Sequence, residues 1–147
     1  MLFRSINLRK RFNEAGIKKY KAFVADLAVT DFNHQQSGYD LVICDAPCSG
    51  SGTWSRTPEQ LYYFDEKKID KYSALQKQIV SNTIPFIKDG GHFLYITCSV
   101  FRKENEDIAG FIKEKFALDV VQTEVIKGYD IKADTMFAVL FRKRETS

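Results

Sequence analysis

Apolar residues recur at helical spacing in three segments of the chain, and these segments predict three helices. The first is the basic opening segment, which Gly16 closes, and the second begins at Asp65, whose side chain can cap it. Gly90 and Gly91 are expected to end the second helix, and acidic residues at 104, 106 and 107 suit the amino-terminal end of the third. The apolar faces of the three helices are formed by Leu2, Ile6, Leu8 and Phe12, by Ile69, Tyr72, Leu75, Ile79, Val80 and Ile84, and by Ile108, Phe111, Ile112 and Phe116.

Short continuous apolar runs lie between these helices and predict buried strands. Residues 39–45 are predicted to form a central parallel strand, residues 92–98 a second buried strand, and residues 22–25 a shorter one near the start. Residues 119–126 and 135–142 are rich in strand-forming residues and are expected to pair antiparallel. The alternation of strands and helices predicts an α/β fold around a mostly parallel sheet.

Composition and charge narrow the class of protein. The chain has 147 residues, of which 44% are hydrophobic and 28% charged, and this composition predicts one soluble globular domain covering residues 1–147. Its longest apolar stretch is far shorter than the roughly 20 residues of a membrane-spanning helix, and its start has no apolar signal core. A formal charge of +3 favours no particular partner. Three cysteines are too few for a disulfide scaffold, so we expect free thiols and a cytoplasmic location.

Two of the three cysteines follow strand ends at one edge of the predicted sheet. Cys48 comes shortly after the strand at 39–45 and Cys98 closes the next strand, whereas Cys44 lies inside a strand and is expected in the core. Ligand sites of open α/β sheets lie beyond the carboxyl ends of the strands, so we expect Cys48 and Cys98 to meet in one cleft. A metal site is not expected, because the cysteine spacing is unsuitable and the chain has only two histidines. The Gly/Ser loop at 49–53 lacks the lysine of a phosphate-binding loop.

The residues around these cysteines resemble the signature of a known enzyme family. The runs are DAPCSGSGT at 45–53, RTP at 56–58, GGHFLYITCS at 90–99 and ENE at 104–106. They resemble the RNA 5-cytosine methyltransferases related to the bacterial small-subunit rRNA enzymes and the eukaryotic NOL/NSUN group. The resemblance extends from the first helix to Lys143 and corresponds to the carboxyl-terminal part of the catalytic domain. It implies a Rossmann-like fold, S-adenosylmethionine as cofactor, and RNA, with rRNA expected, as partner.

The resemblance also implies a role for individual residues. In this chemistry a thiolate adds to cytosine C6, so that C5 becomes nucleophilic and accepts a methyl group, after which the C5 proton and the thiol leave. The motif match implies that Cys98 is the nucleophile, that Cys48 assists release, and that Asp45 contacts the pyrimidine edge. Asp26, Asp45 and Pro47 are expected to contact the methyl donor, with Asp26 at its adenine end. From the residue alone, Asp26 is equally well explained as a solvated carboxylate at a strand end.

The chain departs from the family pattern at its start. The family has a glycine-rich donor-binding loop with a lysine, a first strand and an acidic residue for the ribose ahead of the matched region, and further strands before residues 39–45. We therefore expect a sheet truncated at its amino-terminal strands, and little donor binding or methyl transfer by these 147 residues alone. A second hypothesis is a non-catalytic remnant that binds RNA weakly or pairs with itself. The cysteines also suit a metabolic thiol enzyme, which the two-motif match disfavours.

The expected truncation has a consequence for assembly. The strand at 39–45 would lie at a sheet edge with unpaired backbone groups, and such an edge pairs readily with another strand. Either residues 22–25 pair with it, or a second copy of the chain does. We expect a homodimer, through this strand edge or through an exchanged amino-terminal helix, because the apolar face of that helix would otherwise lack neighbours.

Overall fold

The computed structural model describes residues 2–29 and 38–145, with the backbone alone for residues 2–5. The helices of this part are α1 (Leu2–Glu14), α2 (Glu59–Tyr62), α3 (Lys67–Thr83) and α4 (Glu106–Lys115). The strands are β1 (Tyr39–Asp45), β2 (Ile87–Thr97), β3 (Leu118–Ile126) and β4 (Met136–Lys143). No helix among these residues has the length and apolar character needed to cross a membrane.

The four strands form one mixed sheet in the order β1-β2-β4-β3. β1 and β2 are parallel, whereas β4 runs antiparallel to both β2 and β3. The predicted α/β class and the antiparallel pairing of the last two strands are confirmed. The prediction of a mostly parallel sheet is wrong for the described strands, because a short connection returns the chain from β3 into β4 and places β4 beside β2.

The core lies on the face of the sheet that α3 and α4 cover. The two central strands, β2 and β4, supply fully buried aromatic and aliphatic side chains because their alternate residues point toward this face. Buried apolar side chains of the core include Ile87, Phe93, Tyr95, Leu118, Phe137, Val139 and Phe141 from the strands, Val80, Ile108 and Ile112 from the helices, and Ile84 just after α3. This packing fixes where β1 and β2 end, and therefore the position of the loops that follow them.

Two strand predictions are corrected by the structure. Residues 22–25 form no strand, and Phe23 and Val24 are each 64% exposed. β1 is not central, because among the described residues it pairs with β2 alone, and its Leu41 and Ile43 are 47% and 59% exposed. Residues 22–25 therefore do not provide the pairing partner considered for this edge. The homodimer remains a prediction.

The boundaries of the second predicted helix are also revised. Asp65 acts as expected, because its Oδ1 accepts a hydrogen bond from the Lys67 amide at 3.0 Å. The helix ends at Thr83, before Pro85, since proline has no N–H to continue the helical hydrogen bonds. Strand β2 then begins at Ile87, so Gly90 and its neighbour lie inside the strand and do not end the helix.

Candidate active site

Cys48 and Cys98 meet at the carboxyl ends of β1 and β2. Their Sγ atoms lie 3.4 Å apart, and both residues are partly exposed. The two strands are parallel, so the loops that follow them leave the sheet at the same edge. Cys44, in contrast, is buried in the core. The predicted placement of all three cysteines is confirmed, whereas the catalytic roles of Cys48 and Cys98 remain predictions.

The hydrogen bond between the two thiols makes them electrostatically different. The hydrogen bond from Cys48 lowers the pKa of Cys98 to about 7, although burial and the carboxylates of Asp45 and Asp134 act in the opposite direction. The same hydrogen bond, followed by burial, raises the pKa of Cys48. Cys98 is therefore the thiol that ionises first, and near neutral pH it supplies a substantial fraction of thiolate, the nucleophilic form of cysteine.

Removing the Cys48 thiol is expected to raise the pKa of Cys98. In Cys48→Ala, burial is the largest remaining influence on Cys98, and it raises the pKa together with Asp45 and Asp134, whereas a backbone hydrogen bond of Cys98 itself acts in the opposite direction. The pH at which Cys98 is half-reactive toward iodoacetamide should therefore move from about 7 to above the ordinary value of a free cysteine. At pH 7 alkylation of Cys98, followed by peptide mass spectrometry, should slow about tenfold.

The matched control for this measurement is Cys44→Ala, which removes a buried thiol that lies outside the pair. Its Cys98 profile should coincide with that of the unmodified sequence. An unchanged profile in Cys48→Ala would show that the second thiol does not set the ionisation of Cys98.

The Gly/Ser loop packs directly against the segment that carries Cys98. The Gly52 amide donates a hydrogen bond to the Cys98 carbonyl at 2.9 Å, and the Thr135 amide donates to the Gly52 carbonyl at 3.0 Å. A Cβ atom on Gly52 would lie 2.1 Å from the Thr135 carbonyl oxygen and 2.9 Å from that of Cys98. Glycine at this position therefore permits close backbone contact between three loops, which accounts for it without a phosphate ligand.

Glu104 is a buried residue of this site, and the sequence analysis gave it no role there although it belongs to the matched ENE run. It was expected at the start of the third helix, but α4 begins at Glu106, and Glu104 is the buried residue of the turn before it. Its carboxylate accepts hydrogen bonds from the Ser49 amide at 2.8 Å, from the Ser49 hydroxyl at 2.6 Å and from the Ser99 hydroxyl. The available signal was a serine directly after each of Cys48 and Cys98, since buried hydroxyls need acceptors.

The remaining predicted site residues lie in two different places. Asp45 and Pro47 are exposed beside the thiols, at and just after the end of β1, and the Pro47 carbonyl accepts a hydrogen bond from Gln76 of α3. Asp26 lies elsewhere, because the residues that follow it are hydrogen-bonded to Asn82 near the carboxyl end of α3. The Oδ1 atom of Asp26 accepts a hydrogen bond from the Ala28 amide at 2.9 Å. Among the described residues, no hydrogen bond joins Asp26 to either thiol. The roles of Asp26, Asp45 and Pro47 remain predictions.

An aromatic cluster borders the loops that carry Cys48 and Cys98. Trp54 follows the Gly/Ser loop and contacts both Phe64 and Phe101, with ring centroids 4.9 Å and 5.9 Å away. Beyond this cluster, Tyr62 and Tyr63 of the α2 segment are 85% and 72% exposed. Exposed aromatic rings of this kind suit stacking with unpaired nucleobases.

Comparison with known sequences relates the chain to rRNA methyltransferases. The sequence profile of the family described as 16S rRNA methyltransferase RsmB/F matches residues 3–146. Ribosomal RNA small subunit methyltransferase F of Shewanella amazonensis is 34% identical over 116 residues, which are 73% of this chain and 25% of the relative. The 28S rRNA (cytosine-C(5))-methyltransferase of Mus musculus is 37% identical over 90 residues, which are 58% of this chain and 11% of the relative. The chain thus spans a quarter or less of these relatives.

Comparison with solved structures supports the fold. The crystal structure of PH0851 matches 96% of this chain and 35% of its own, with a TM-score of 0.85 and 28% identity. NSun6 from Pyrococcus horikoshii, solved with SFG, has a TM-score of 0.81 over 97% of this chain and 39% of its own. At 19% sequence identity, this match supports a similarity of fold only. These neighbours confirm the predicted α/β, Rossmann-like methyltransferase fold.

Proposed function

Because the chain belongs to the 16S rRNA methyltransferase RsmB/F family, we propose that it carries the cytosine-activating site of an RNA cytosine-C5 methyltransferase. The observation that supports this proposal most directly is the Cys48–Cys98 pair, whose sulfurs lie 3.4 Å apart beside the exposed Asp45. Methylation at cytosine C5 needs one thiol that ionises easily and a second group that takes up a proton later. Neighbouring thiols with pKa values shifted in opposite directions suit these two tasks.

Cys98 is the nucleophile of the proposed mechanism. Its thiolate forms a bond to C6 of the cytosine, and the electron pair of the C5=C6 double bond moves toward C5 and the ring. The pKa of Cys98, lowered to about 7, makes this thiolate available at neutral pH. In the proposed mechanism the Asp45 carboxyl, which is exposed at the end of β1, contacts the pyrimidine edge and stabilises the protonated ring.

Cys48 takes part in the release step. Once the Cys98 sulfur is bonded to C6, it carries no negative charge, so the main cause that raises the pKa of Cys48 is removed. Cys48 can then lose its own proton to water, and the resulting thiolate accepts the C5 proton. The electrons of the C5–H bond restore the C5=C6 double bond, and the Cys98 thiolate leaves. One sulfur atom cannot perform both tasks, because it is bonded to the base when the proton must be removed.

S-adenosylmethionine is the methyl donor implied by the family, and when bound it supplies a methyl group on a positively charged sulfur. We propose that Asp45 and Pro47 contact this methyl donor. Both residues are exposed next to the thiols, so the donor would lie against the end of β1. Asp26 is a weaker candidate, because the residues after it are held along α3. The solved structure of NSun6 with SFG, an analogue of this donor, supports the choice of cofactor.

The proposed partner is RNA, and rRNA is the class that the names of the relatives support. Tyr62 and Tyr63, which follow the Gly/Ser loop in the sequence, offer exposed rings for unpaired bases. A cytosine must leave its stack to reach Cys98, and unpaired or flipped bases meet this requirement. An rRNA substrate agrees with the cytoplasmic location expected from the free thiols.

The proposal is tested by hydrogen exchange at cytosine C5, which requires the thiols but no donor. Addition of the Cys98 thiolate to C6 lets C5 take a proton from water, and elimination then releases either hydrogen of C5. An rRNA transcript labelled with tritium at C5 of cytosine should therefore lose tritium to water in the presence of the protein. The rate should exceed that of protein-free RNA at least about tenfold, since the thiol and the base react as an oriented pair.

The control for exchange is the same transcript labelled at C5 of uracil, which should lose tritium more slowly. RNA binding without tritium release would contradict the proposal and favour the non-catalytic remnant. Methyl transfer with added S-adenosylmethionine is followed in parallel, by mass spectrometry of 5-methylcytidine.

A further inference from the structure

We propose that Glu104 is a positioning residue, whose buried carboxylate holds together the two loops that carry Cys48 and Cys98. The residue touches neither sulfur and acts through the serines that follow the cysteines. Its importance for catalysis rests on the proposed function. Its effect on the distance between the sulfurs does not, and can be measured without RNA or methyl donor.

The burial of Glu104 is the first observation that supports this role. The residue lies in the turn Arg102–Glu104 and is completely buried, although glutamate is rarely buried without compensating partners. Removing a carboxylate from water is costly unless donors replace the lost hydration. A residue needed only to begin α4 would serve equally well at the surface, as Glu106 does.

The donors that compensate this burial come from both cysteine loops. The Ser49 amide donates to Oε1 at 2.8 Å, and the Ser49 hydroxyl donates to Oε2 at 2.6 Å. The Ser99 hydroxyl donates to the same Oε2. Ser49 directly follows Cys48 and Ser99 directly follows Cys98, so one carboxyl group bridges the backbone next to each thiol.

Further hydrogen bonds hold the turn of Glu104 and the neighbouring Ser99 in place. The Tyr95 hydroxyl donates to the Glu104 carbonyl at 2.7 Å, which anchors the turn to β2. The Asn105 side chain donates to the Ser99 carbonyl at 2.8 Å, and Ser51 Oγ lies 3.3 Å from Ser99 Oγ. Glu104 is therefore the centre of a buried network whose outer members are the two loops.

Loss of this bridge should let the two loops move apart. Besides Glu104, the loops are joined by the Gly52 amide, which donates to the Cys98 carbonyl at 2.9 Å, and by the Val100 amide, which donates to Ser51 Oγ at 2.9 Å. Serine hydroxyls 3.3 Å apart complete the contact, and none of these hydrogen bonds has a charged partner. The 3.4 Å between the sulfurs depends on how the loops dock on each other, and Glu104 is the charged acceptor between them. Hydrogen bonds to charged acceptors are stronger than those between neutral groups, so a neutral side chain of the same shape should weaken the bridge. The substitution Glu104→Gln makes this change with little change in volume.

The test measures how readily the two thiols form a disulfide. Diamide removes two electrons and two protons from a neighbouring pair of thiols, and the rate reports how often the sulfurs come into bonding geometry. The Cys48–Cys98 disulfide should form about tenfold more slowly in Glu104→Gln, as followed by mass spectrometry after quenching. For each variant, the rate of disulfide formation is divided by the rate at which iodoacetamide alkylates Cys98. This division removes the effects of exposure and ionisation.

Glu106→Gln is the matched control, because it neutralises an exposed carboxylate two residues away, and its disulfide rate should be unchanged. Ser49→Ala removes one arm of the bridge and should also slow disulfide formation, even if Glu104→Gln does not fold. The proposal would be overturned if folded Glu104→Gln formed the disulfide at an unchanged normalised rate. A lower melting temperature without slower disulfide formation would overturn it as well. Slower disulfide formation without any C5 exchange in the unmodified sequence would support the positioning role and contradict the proposed function.

Discussion

Replacing Cys98 with alanine is expected to abolish tritium release from cytosine C5 by this chain, and methyl transfer by an enzyme of the family that has a complete donor site. Without the thiolate no bond forms to C6, and C5 of an unmodified cytosine is too weak a nucleophile to accept a methyl group. Cys48 cannot replace it, because a sulfur bonded to C6 cannot also remove the C5 proton. The expected loss is at least about 10³-fold, and the exchange and 5-methylcytidine assays both measure it.

The Cys98→Ala variant must also fail to form a covalent complex with RNA. Its fold should be preserved, because the side chain is partly exposed and its backbone contact with Gly52 is retained. Cys44→Ala serves as the control for loss of a thiol and should keep its activity. A protein–RNA adduct formed by Cys98→Ala would show that another residue attacks the base.

The meeting of Cys48 and Cys98 could be predicted from the sequence for a simple physical reason. Two apolar runs determine where β1 and β2 end, and the carboxyl ends of parallel neighbours lie at one edge. Residues shortly after both ends must then be close in space. The motif resemblance added the chemistry but was not needed for the geometry.

The organisation of the sheet could be predicted only in part. A run of four apolar residues, such as 22–25, looks the same whether or not a partner strand is available, and in this structure it forms no strand. β1 is apolar on both faces, which is typical of a central strand, yet in the described part of the chain only β2 pairs with it. Pairing is decided by distant segments, and local periodicity does not contain that information.

Glu104 was misinterpreted because its local sequence has a valid alternative explanation. Acidic residues are favourable at a helix start, and Glu106 and Asp107 do occupy the first turn of α4. The hydrogen bonds that bury Glu104 join it to Ser49, 55 positions away in the sequence, as well as to nearby Ser99. Such a contact depends on how two loops dock on each other. The spacing of apolar residues in helices and strands contains no information about this docking.

Replacing Cys48 with alanine should have the opposite covalent outcome to Cys98→Ala. The Cys98 thiolate can still attack C6, more slowly at neutral pH because its pKa rises without the hydrogen bond from Cys48. After the methyl group is in place, no thiol is available to accept the C5 proton, and the bond between sulfur and C6 persists. In an enzyme of the family that has a complete donor site, we expect a protein–RNA adduct to accumulate in the presence of S-adenosylmethionine, visible as a slowly migrating band on a denaturing gel.

The pH dependence of this adduct separates the two effects of Cys48. Adduct formation in Cys48→Ala should accelerate as pH rises above neutrality, because each increase in pH converts more Cys98 to thiolate while its pKa lies above 7. Release should remain slow at every pH, since it depends on the missing proton acceptor and not on the ionisation of Cys98. The double variant Cys48→Ala, Cys98→Ala should give no adduct. Rapid turnover by Cys48→Ala at high pH would show that Cys48 only adjusts the pKa of Cys98, and that a different group removes the C5 proton.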